Sequence, residues 1–197
     1  KISTKLNLIN SLSDKMDFVI LGGGIANTCL AAKGVNVGSS LLEEDMLEEA
    51  LELANKDNVI LPNKVVVSNS IKGKAKIIDV ESVRPDEAIF DIAPESFNSI
   101  ESIFIQAKTI FWNGPVGLFE EPQFREGTAS VARMIVASEA YSVGGGGDTI
   151  AAAKEIGLLE EMDYMSTAGG AFLEYIEGRS LPALEALKAK ALESANN

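Results

Sequence analysis

Short runs of successive apolar residues recur along the chain and predict buried strands. The apolar positions in them are consecutive rather than alternating with polar ones, which is typical of strands covered on both faces. The runs are Asp17–Leu21, Val59–Leu61, Lys64–Val67, Lys76–Val80, Ala88–Ile92, Thr109–Trp112 and Tyr141–Val143, and a further strand is predicted at Tyr164–Thr167, before Gly169.

Stretches with helical periodicity lie between many of these runs. Glu43–Ala54 places apolar residues on one face and glutamates on the other, and Glu95–Ala107 and Pro122–Glu139 are similar. Alternation of strands with helices predicts an α/β fold, a doubly wound, mostly parallel sheet with helices on both faces, as in Rossmann-like proteins. The turn-rich stretch 62–84 predicts a small β side element. We expect one α/β domain over residues 1–180 and a helical tail over 181–197.

The composition narrows the possible chemistry. The 197 residues carry a formal net charge of −12 and include no His, which excludes His-based nucleophile pairs and His metal ligands. The acidic balance argues against nucleic acid as a partner. No apolar run is long enough to span a membrane, so no membrane partner is expected. The single Cys29 lies in an apolar stretch and is interpreted as a packed, inert thiol, as fits a reducing compartment.

Three glycine clusters each follow a predicted strand and precede a predicted helix. They are Gly22–Gly24, Gly144–Gly147 and Gly169–Gly170. In a parallel sheet all three lie at the carboxyl edge, where backbone N–H groups and helix N-termini can bind an anion. The alternative is that the glycines only make tight turns between strand and helix.

The common phosphate-binding fingerprints are absent. The pair Gly73–Lys74 is followed by Ala75, and neither glycine run has the spacing of a dinucleotide site. Asp148 directly follows the second glycine cluster. A carboxylate there would repel phosphate unless a divalent cation such as Mg²⁺ lay between them, although a plain helix N-cap is a compatible interpretation.

Two further segments are candidates for ligand contact. The loop Phe111–Glu120 follows a strand and is expected to expose Val116, Leu118 and Phe119, which could hold a flat base, while Glu120 could accept hydrogen bonds from sugar hydroxyls. The alternative is a buried loop with a solvated glutamate. Lys1 and Lys5 share one face if the segment is helical, although a solvated face is the commoner role of such a pair.

Taken in order, these motifs resemble the C-terminal, nucleotide-binding domain of the phosphoglycerate kinase family over nearly the whole chain. Five elements correspond in spacing: Lys1–Lys5, Gly22–Gly24, Trp112–Glu120, Gly145–Thr149 and Ser166–Ala171 with the Leu173-Glu174 that follows. The resemblance implies a cytoplasmic, glycolytic kinase, monomeric, that binds ADP or ATP with Mg²⁺ and transfers a phosphoryl group between 1,3-bisphosphoglycerate and ADP.

The resemblance also implies a role for each matched residue. Lys1 and Lys5 would contact the nucleotide phosphates and the transferring group, towards which Gly146, Gly147, Gly169 and Gly170 would offer N–H groups. Asp148 would hold Mg²⁺, and Thr149 and Asn113 would lie on the phosphate chain. The adenosine pocket would be lined by Gly23, Gly114, Val116 and Phe119, with Glu120 on the ribose.

The chain also departs from the family pattern. Ile89 and Ala93 stand where the family has glycines beside the base, so adenine is expected to meet side chains there. Tyr164 replaces a common His, and Ala168 a glycine. The domain that holds 3-phosphoglycerate in the family has no counterpart here, so this chain alone is expected to bind nucleotide without turnover. The alternatives are a non-catalytic module that binds adenine nucleotide and an α/β domain without nucleotide.

Overall fold

The computed structural model describes residues 2–195, which form eight helices and eight strands. The helices are α1 Ile2–Ser13, α2 Gly23–Ala32, α3 Leu47–Ala54, α4 Glu101–Gln106, α5 Glu126–Ala137, α6 Gly147–Ile156, α7 Gly169–Glu177 and α8 Pro182–Ala195. The strands are β1 Val19–Ile20, β2 Val59–Ile60, β3 Lys64–Ser68, β4 Lys76–Asp79, β5 Ala88–Ile92, β6 Thr109–Trp112, β7 Tyr141–Gly145 and β8 Tyr164–Ser166.

Five of the strands are parallel, and helices connect them, so the predicted α/β class is confirmed. β1 pairs with β2, with Val19 opposite Val59. β7 lies in the middle of a second sheet, between β6 and β8, with Val143 opposite Tyr164 on one side. The helical crossovers α2–α3, α5 and α6 provide the long connections that parallel neighbours require.

The remaining three strands form an antiparallel sheet in the order β4-β3-β5. The predicted side element near 62–84 therefore exists, but it also recruits β5, which the apolar pattern had grouped with the parallel strands. β5 pairs antiparallel with β3, and residues 80–87 carry the chain from β4 to the other edge of β3 through a short 3-10 turn. The register of β3 on β5 shifts between Val66 and Val67.

Two predicted helices are shorter than their periodicity suggested. The segment 95–107 begins with a 3-10 turn, Pro94–Phe97, and becomes α-helical only at Glu101. The segment 122–139 likewise begins with a 3-10 turn, and its helix ends at Ala137. In both, a proline stands in the first turn, where its missing N–H costs no hydrogen bond.

Separate apolar clusters fix the helices to the sheets. Trp112 of β6 packs in the largest cluster with residues of α4, α5 and α6, among them Phe104 and Ile135. Leu6, Cys29 and Leu53 join α1, α2 and α3 beside β1. Burial of each large side chain of this kind contributes about 1.5–3 kcal/mol. The glycine turns that follow β1, β7 and β8 are thus held on a packed scaffold.

Cys29 is fully buried in this core, as the sequence predicted. Burial raises the pKa of its thiol to about 11, so the thiol stays protonated and inert near neutral pH. Across residues 2–195, the helices are all too short or too polar to cross a bilayer.

Candidate functional site

The glycine clusters meet at one edge of the molecule. Helices α2, α6 and α7 begin at Gly23, Gly147 and Gly169, directly after strands β1, β7 and β8. The second and third clusters are in contact, since a Cβ on Gly169 would lie 2.7 Å from the Cα of Gly146. Gly146 itself has φ +99°, which only glycine adopts readily. The predicted convergence of glycines is therefore present in the structure.

The loop after β6 joins the first glycine cluster to the second. Gly23 donates its backbone N–H to the carbonyl of Val116 at 3.1 Å. On the other side, the Asn113 amide donates to the carbonyl of Gly145 at 2.7 Å. The backbone N–H of Gly114 donates to the hydroxyl of Thr149, also at 2.7 Å. The loop is consequently fixed between two helix N-termini.

Thr149 is a structural centre of this arrangement. Its side chain is 1% exposed, and its hydroxyl donates to the carbonyl of Gly145 at 2.6 Å while accepting from Gly114. The hydroxyl thus donates one hydrogen bond and accepts another within the protein. What Thr149 can offer to an anion is its backbone N–H, in the first turn of α6, where no intrahelical acceptor exists.

Three glycines border open space at this edge. A Cβ built on Gly23, Gly147 or Gly170 would meet no atom within 4 Å. Each of the three stands in the first turn of its helix, where N–H groups and the helix dipole favour negative charge. The edge therefore has unfilled space beside the N-termini of three helices, and each of these ends favours a negative charge.

The charged candidates flank this edge. Lys5 is exposed on α1, and its Nζ lies 3.7 Å from where a Cβ of Gly114 would stand. Lys1 lies outside the described residues. Asp148 is exposed in the first turn of α6. No group of three or more carboxylate or thiol ligands occurs among the described residues, so a metal held by Asp148 would need phosphate oxygens and water to complete its shell.

The loop's apolar side chains are less exposed than predicted. Phe119 is only 7% exposed and packs in the cluster around Trp112. Val116 and Leu118 are half-buried, and Glu120 is exposed. The expectation that Phe119 is exposed was wrong. Its assignment to the adenosine pocket stays a prediction.

The wall that contains Ile89 and Ala93 also differs from expectation. Ala93 is fully buried against Val66 and Phe124, and Ile89 packs against the cluster that includes Leu30. Ala93 thus faces the interior of the protein. Val66 of β3 and Phe124, in the turn before α5, cover Ala93, and such contacts between distant segments are not encoded in the motif itself.

Leu41 lies beside the first glycine cluster, and the sequence patterns did not identify it as a candidate for ligand contact. Its side chain is 72% exposed, and its Cδ2 lies 3.5 Å from where a Cβ of Gly24 would stand. The loop presenting it is tied down, since the Asn27 amide donates to the Leu41 carbonyl at 3.2 Å and the Thr28 hydroxyl accepts from Glu43 N–H at 3.2 Å. The sequence feature that could have identified Leu41 is the apolar pair Leu41-Leu42, which lies outside the predicted strands and helices.

Comparisons with known proteins agree on one family. The model of the family described as phosphoglycerate kinase matches residues 1–179. A phosphoglycerate kinase of Baumannia cicadellinicola is 50% identical over 187 residues, which cover 95% of this chain and 48% of that protein. One from Francisella tularensis subsp. novicida is 48% identical over an alignment of 199 residues, covering 98% of this chain and 51% of that protein.

Solved structures give the same result. The phosphoglycerate kinase structure from Coxiella burnetii superposes with a TM-score of 0.89 at 44% identity, over 97% of this chain and 51% of that one. The crystal structure of the enzyme from Pyrococcus horikoshii gives 0.82 at 29% identity, over 95% and 49%. The chain therefore spans about half the length of the curated relatives and structures that it matches.

Proposed function

The chain belongs to the phosphoglycerate kinase family, and from this premise we propose that it binds MgADP or MgATP at its glycine edge. The observation that carries the proposal is that the N-termini of α6 and α7 touch at Gly146 and Gly169, and that the loop after β6 connects them to the N-terminus of α2 at Gly23. Such ends stabilise several negative charges without many basic side chains. This accounts for phosphate binding on a chain with a net charge of −12.

The residues at the edge fit a magnesium nucleotide. The first turns of α6 and α7 would take the phosphates on the N–H groups of Gly146, Gly147, Gly169 and Gly170, with the second amide hydrogen of Asn113 beside them. Lys5, and Lys1 from the segment before α1, would neutralise the transferring group. Asp148 would hold Mg²⁺, which supplies charge neutralisation at the phosphate oxygens during transfer. Gly23, Gly114, Val116, Phe119 and Glu120 would surround the nucleoside.

For the whole protein, we include in the proposal phosphoryl transfer between 1,3-bisphosphoglycerate and ADP, as in glycolysis. Phosphoryl transfer needs positioning and electrostatic stabilisation more than acid–base groups, and a chain without His satisfies that requirement. A cytoplasmic monomer and the division at residue 180 remain predictions. Residues 182–191 of α8 are exposed along the helix, which supports the tail as a separate appendage.

The phosphoglycerate substrate is assigned to a part of the protein outside this chain. At the glycine edge, Lys5 is the basic side chain that the structure describes beside Gly114, and a second polyanion needs a basic cluster of its own. Transfer also requires a cover that excludes water from the site. The chain alone is therefore expected to bind nucleotide with little or no turnover.

A coupled kinase assay tests this proposal. The chain, shown to be folded and to bind ADP, is assayed beside the same protein with a family N-terminal half supplied upstream. Since positioning alone can account for about 7–11 kcal/mol of a barrier, the isolated chain should be slower by many orders of magnitude. Comparable turnover by both would contradict the assignment. Nucleotide binding without turnover in either would favour the alternative, a non-catalytic nucleotide-binding module.

A further inference from the structure

A buried carboxylate lies behind the loop that joins the glycine clusters. Asp91, on β5, is 1% exposed, and both of its oxygens accept hydrogen bonds. Oδ2 accepts from the backbone N–H of Gly127, in the first turn of α5, at 2.7 Å, and Oδ1 accepts from that of Ile92 at 2.9 Å. Asp91 thus caps α5 from a strand 36 residues earlier in the chain.

The loop and the helix are packed closely on this carboxylate. A Cβ on Gly117 would lie 2.1 Å from Asp91 Oδ1, and one on Gly127 would lie 2.4 Å from the same oxygen. The N–H of Leu118 donates to the carbonyl of Phe90, beside Asp91, at 2.7 Å. Three segments therefore meet at one side chain: β5, the loop from Gly114 to Glu120 and the start of α5.

Among residues 2–195, no cation compensates the charge of Asp91. Strand β3 places Val66 opposite it, and the loop and α5 contribute Gly117 and Gly127. Burial raises the pKa of the Asp91 carboxyl, the two N–H donors partly oppose the rise, and the charge of Glu126 adds to it, so that the pKa is raised to about 7. Asp91 accordingly changes its charge in the neutral range.

The other charged side chains near this point are committed elsewhere. Arg125 donates to the carbonyl of Phe119 at 2.8 Å and pairs with Glu155 at 2.9 Å. From the loop, Glu121 pairs with Lys72 at 2.7 Å. Glu126 pairs with Arg133.

We infer that Asp91, as a carboxylate, is a positioning residue for nucleotide: it holds the Gly114–Glu120 loop against α5 in the form that binds adenosine. The inference rests on the proposed function. The ionised form is the one that fits, because two N–H groups point at its two oxygens. A protonated carboxyl group or an amide would point a hydrogen at one of these N–H donors. The loop, which packs on Asp91 through Gly117, would then shift.

The test is MgADP binding by calorimetry at pH 8 and pH 6, on the wild-type chain and on Asp91→Asn. At pH 8 the variant should bind about ten- to hundredfold more weakly, as expected for a charge-assisted hydrogen bond removed from a buried site. At pH 6 the ratio should fall towards one, because wild-type Asp91 has taken up its proton. Titration of the ADP phosphate affects both proteins alike and cancels in the ratio.

Two further variants separate positioning from general damage. Gly117→Ala pushes the loop from Asp91 without changing the charge, so the affinity of this variant should already be low at pH 8 and should change little between pH 8 and pH 6. Asp163→Asn is the matched control. Asp163 also accepts from a backbone N–H, that of Ser142 at 2.7 Å, but at the opposite ends of β7 and β8. Its affinity should stay within about twofold of wild type, since rigid contacts far from a site couple weakly to it.

The outcomes are distinguishable. If wild type binds MgADP and folded Asp91→Asn binds equally well at pH 8, the inference is wrong and the proposed function stands. If Asp91→Asn does not fold, wild-type affinity for adenosine, which carries no phosphate to titrate, must still fall from pH 8 to pH 6, and a flat profile overturns the inference. If wild type binds no MgADP, the proposed function fails, and the inference with it.

Discussion

Asp148 is the carboxylate proposed to hold the metal. It is exposed at the start of α6, so its replacement should leave the fold intact. Asp148→Asn should weaken MgADP binding by about 1–3 kcal/mol and leave metal-free ADP binding nearly unchanged. Calorimetry with Mg²⁺ and with EDTA makes the comparison. Equal losses under both conditions would show that Asp148 acts as a helix cap instead.

Thr149 is predicted to act through stability. Thr149→Val removes the hydroxyl that accepts from Gly114 N–H, and leaving that donor unsatisfied should cost about 1–3 kcal/mol. Thr149→Ser keeps the hydroxyl and should recover most of the loss. Urea unfolding at 25 °C measures both variants. A Thr149→Val protein as stable as wild type would mean that the loop finds another acceptor.

For individual residues, the sequence predicted which of them lie together but not the hydrogen bonds that each of them makes. The order of the motifs placed Asn113, Gly114 and Thr149 at one edge, where the structure has them. It did not predict that the Thr149 hydroxyl is engaged within the protein. Nor did it predict Asp91, because the contact between Asp91 and Gly127 joins segments whose spacing no local pattern encodes.

At the scale of the elements, the contact between α7 and the glycine turn before α6 can be tested with two neighbouring glycines, Gly169 and Gly170, at the start of α7. Gly169→Ala would place a Cβ 2.7 Å from the Cα of Gly146, and since backbone must move, the fold should lose about 1–3 kcal/mol. Gly170→Ala points into open space and should keep the stability of wild type. Its methyl group should instead weaken binding of MgATP more than of MgADP, because α7 is assigned to the transferring phosphate.

Thermal unfolding and calorimetry separate these two effects. Equal destabilisation by both alanines would contradict the packing of α7 on Gly146. Unchanged MgATP affinity in Gly170→Ala would remove α7 from the phosphate site.

The strands and helices were also predictable only in part. Apolar runs located the strands, since β3, β5 and β6 fall where the pattern predicted. The direction of β5 was not predictable, because a continuous apolar run shows burial without showing the partner strand. Helix starts also moved where proline favoured a 3-10 turn, as at Pro94 and Pro122.

For the whole molecule, Asp91 predicts a pH dependence of stability. Its pKa is raised to about 7 in the folded state, so the folded protein binds its proton more tightly than the unfolded chain does. The contribution of Asp91 to stability is therefore complete below about pH 4 and is lost as pH rises to about 7, with an upper bound near 4 kcal/mol.

The stability difference between Asp91→Asn and wild type should show this slope. It should shift in favour of the variant between pH 4 and pH 7 and become constant above. Urea unfolding at several pH values measures it. Taking the difference between the two proteins also removes the opposite pH dependence of stability that Glu87 contributes, because both proteins contain Glu87. Arg84 lowers the pKa of Glu87. A difference independent of pH would show that the Asp91 pKa is not raised.

Titration of MgADP into the wild-type chain at pH 8 tests whether the three glycine turns form a nucleotide site. We expect saturable binding at one site, with a Kd within the range of about 1 μM to 1 mM usual for enzyme substrates. Gly147→Ala, whose added methyl group would project into the open space, should weaken it. A folded chain that gives no binding heat with millimolar MgADP and does not compete for a fluorescent ADP analogue would contradict the account.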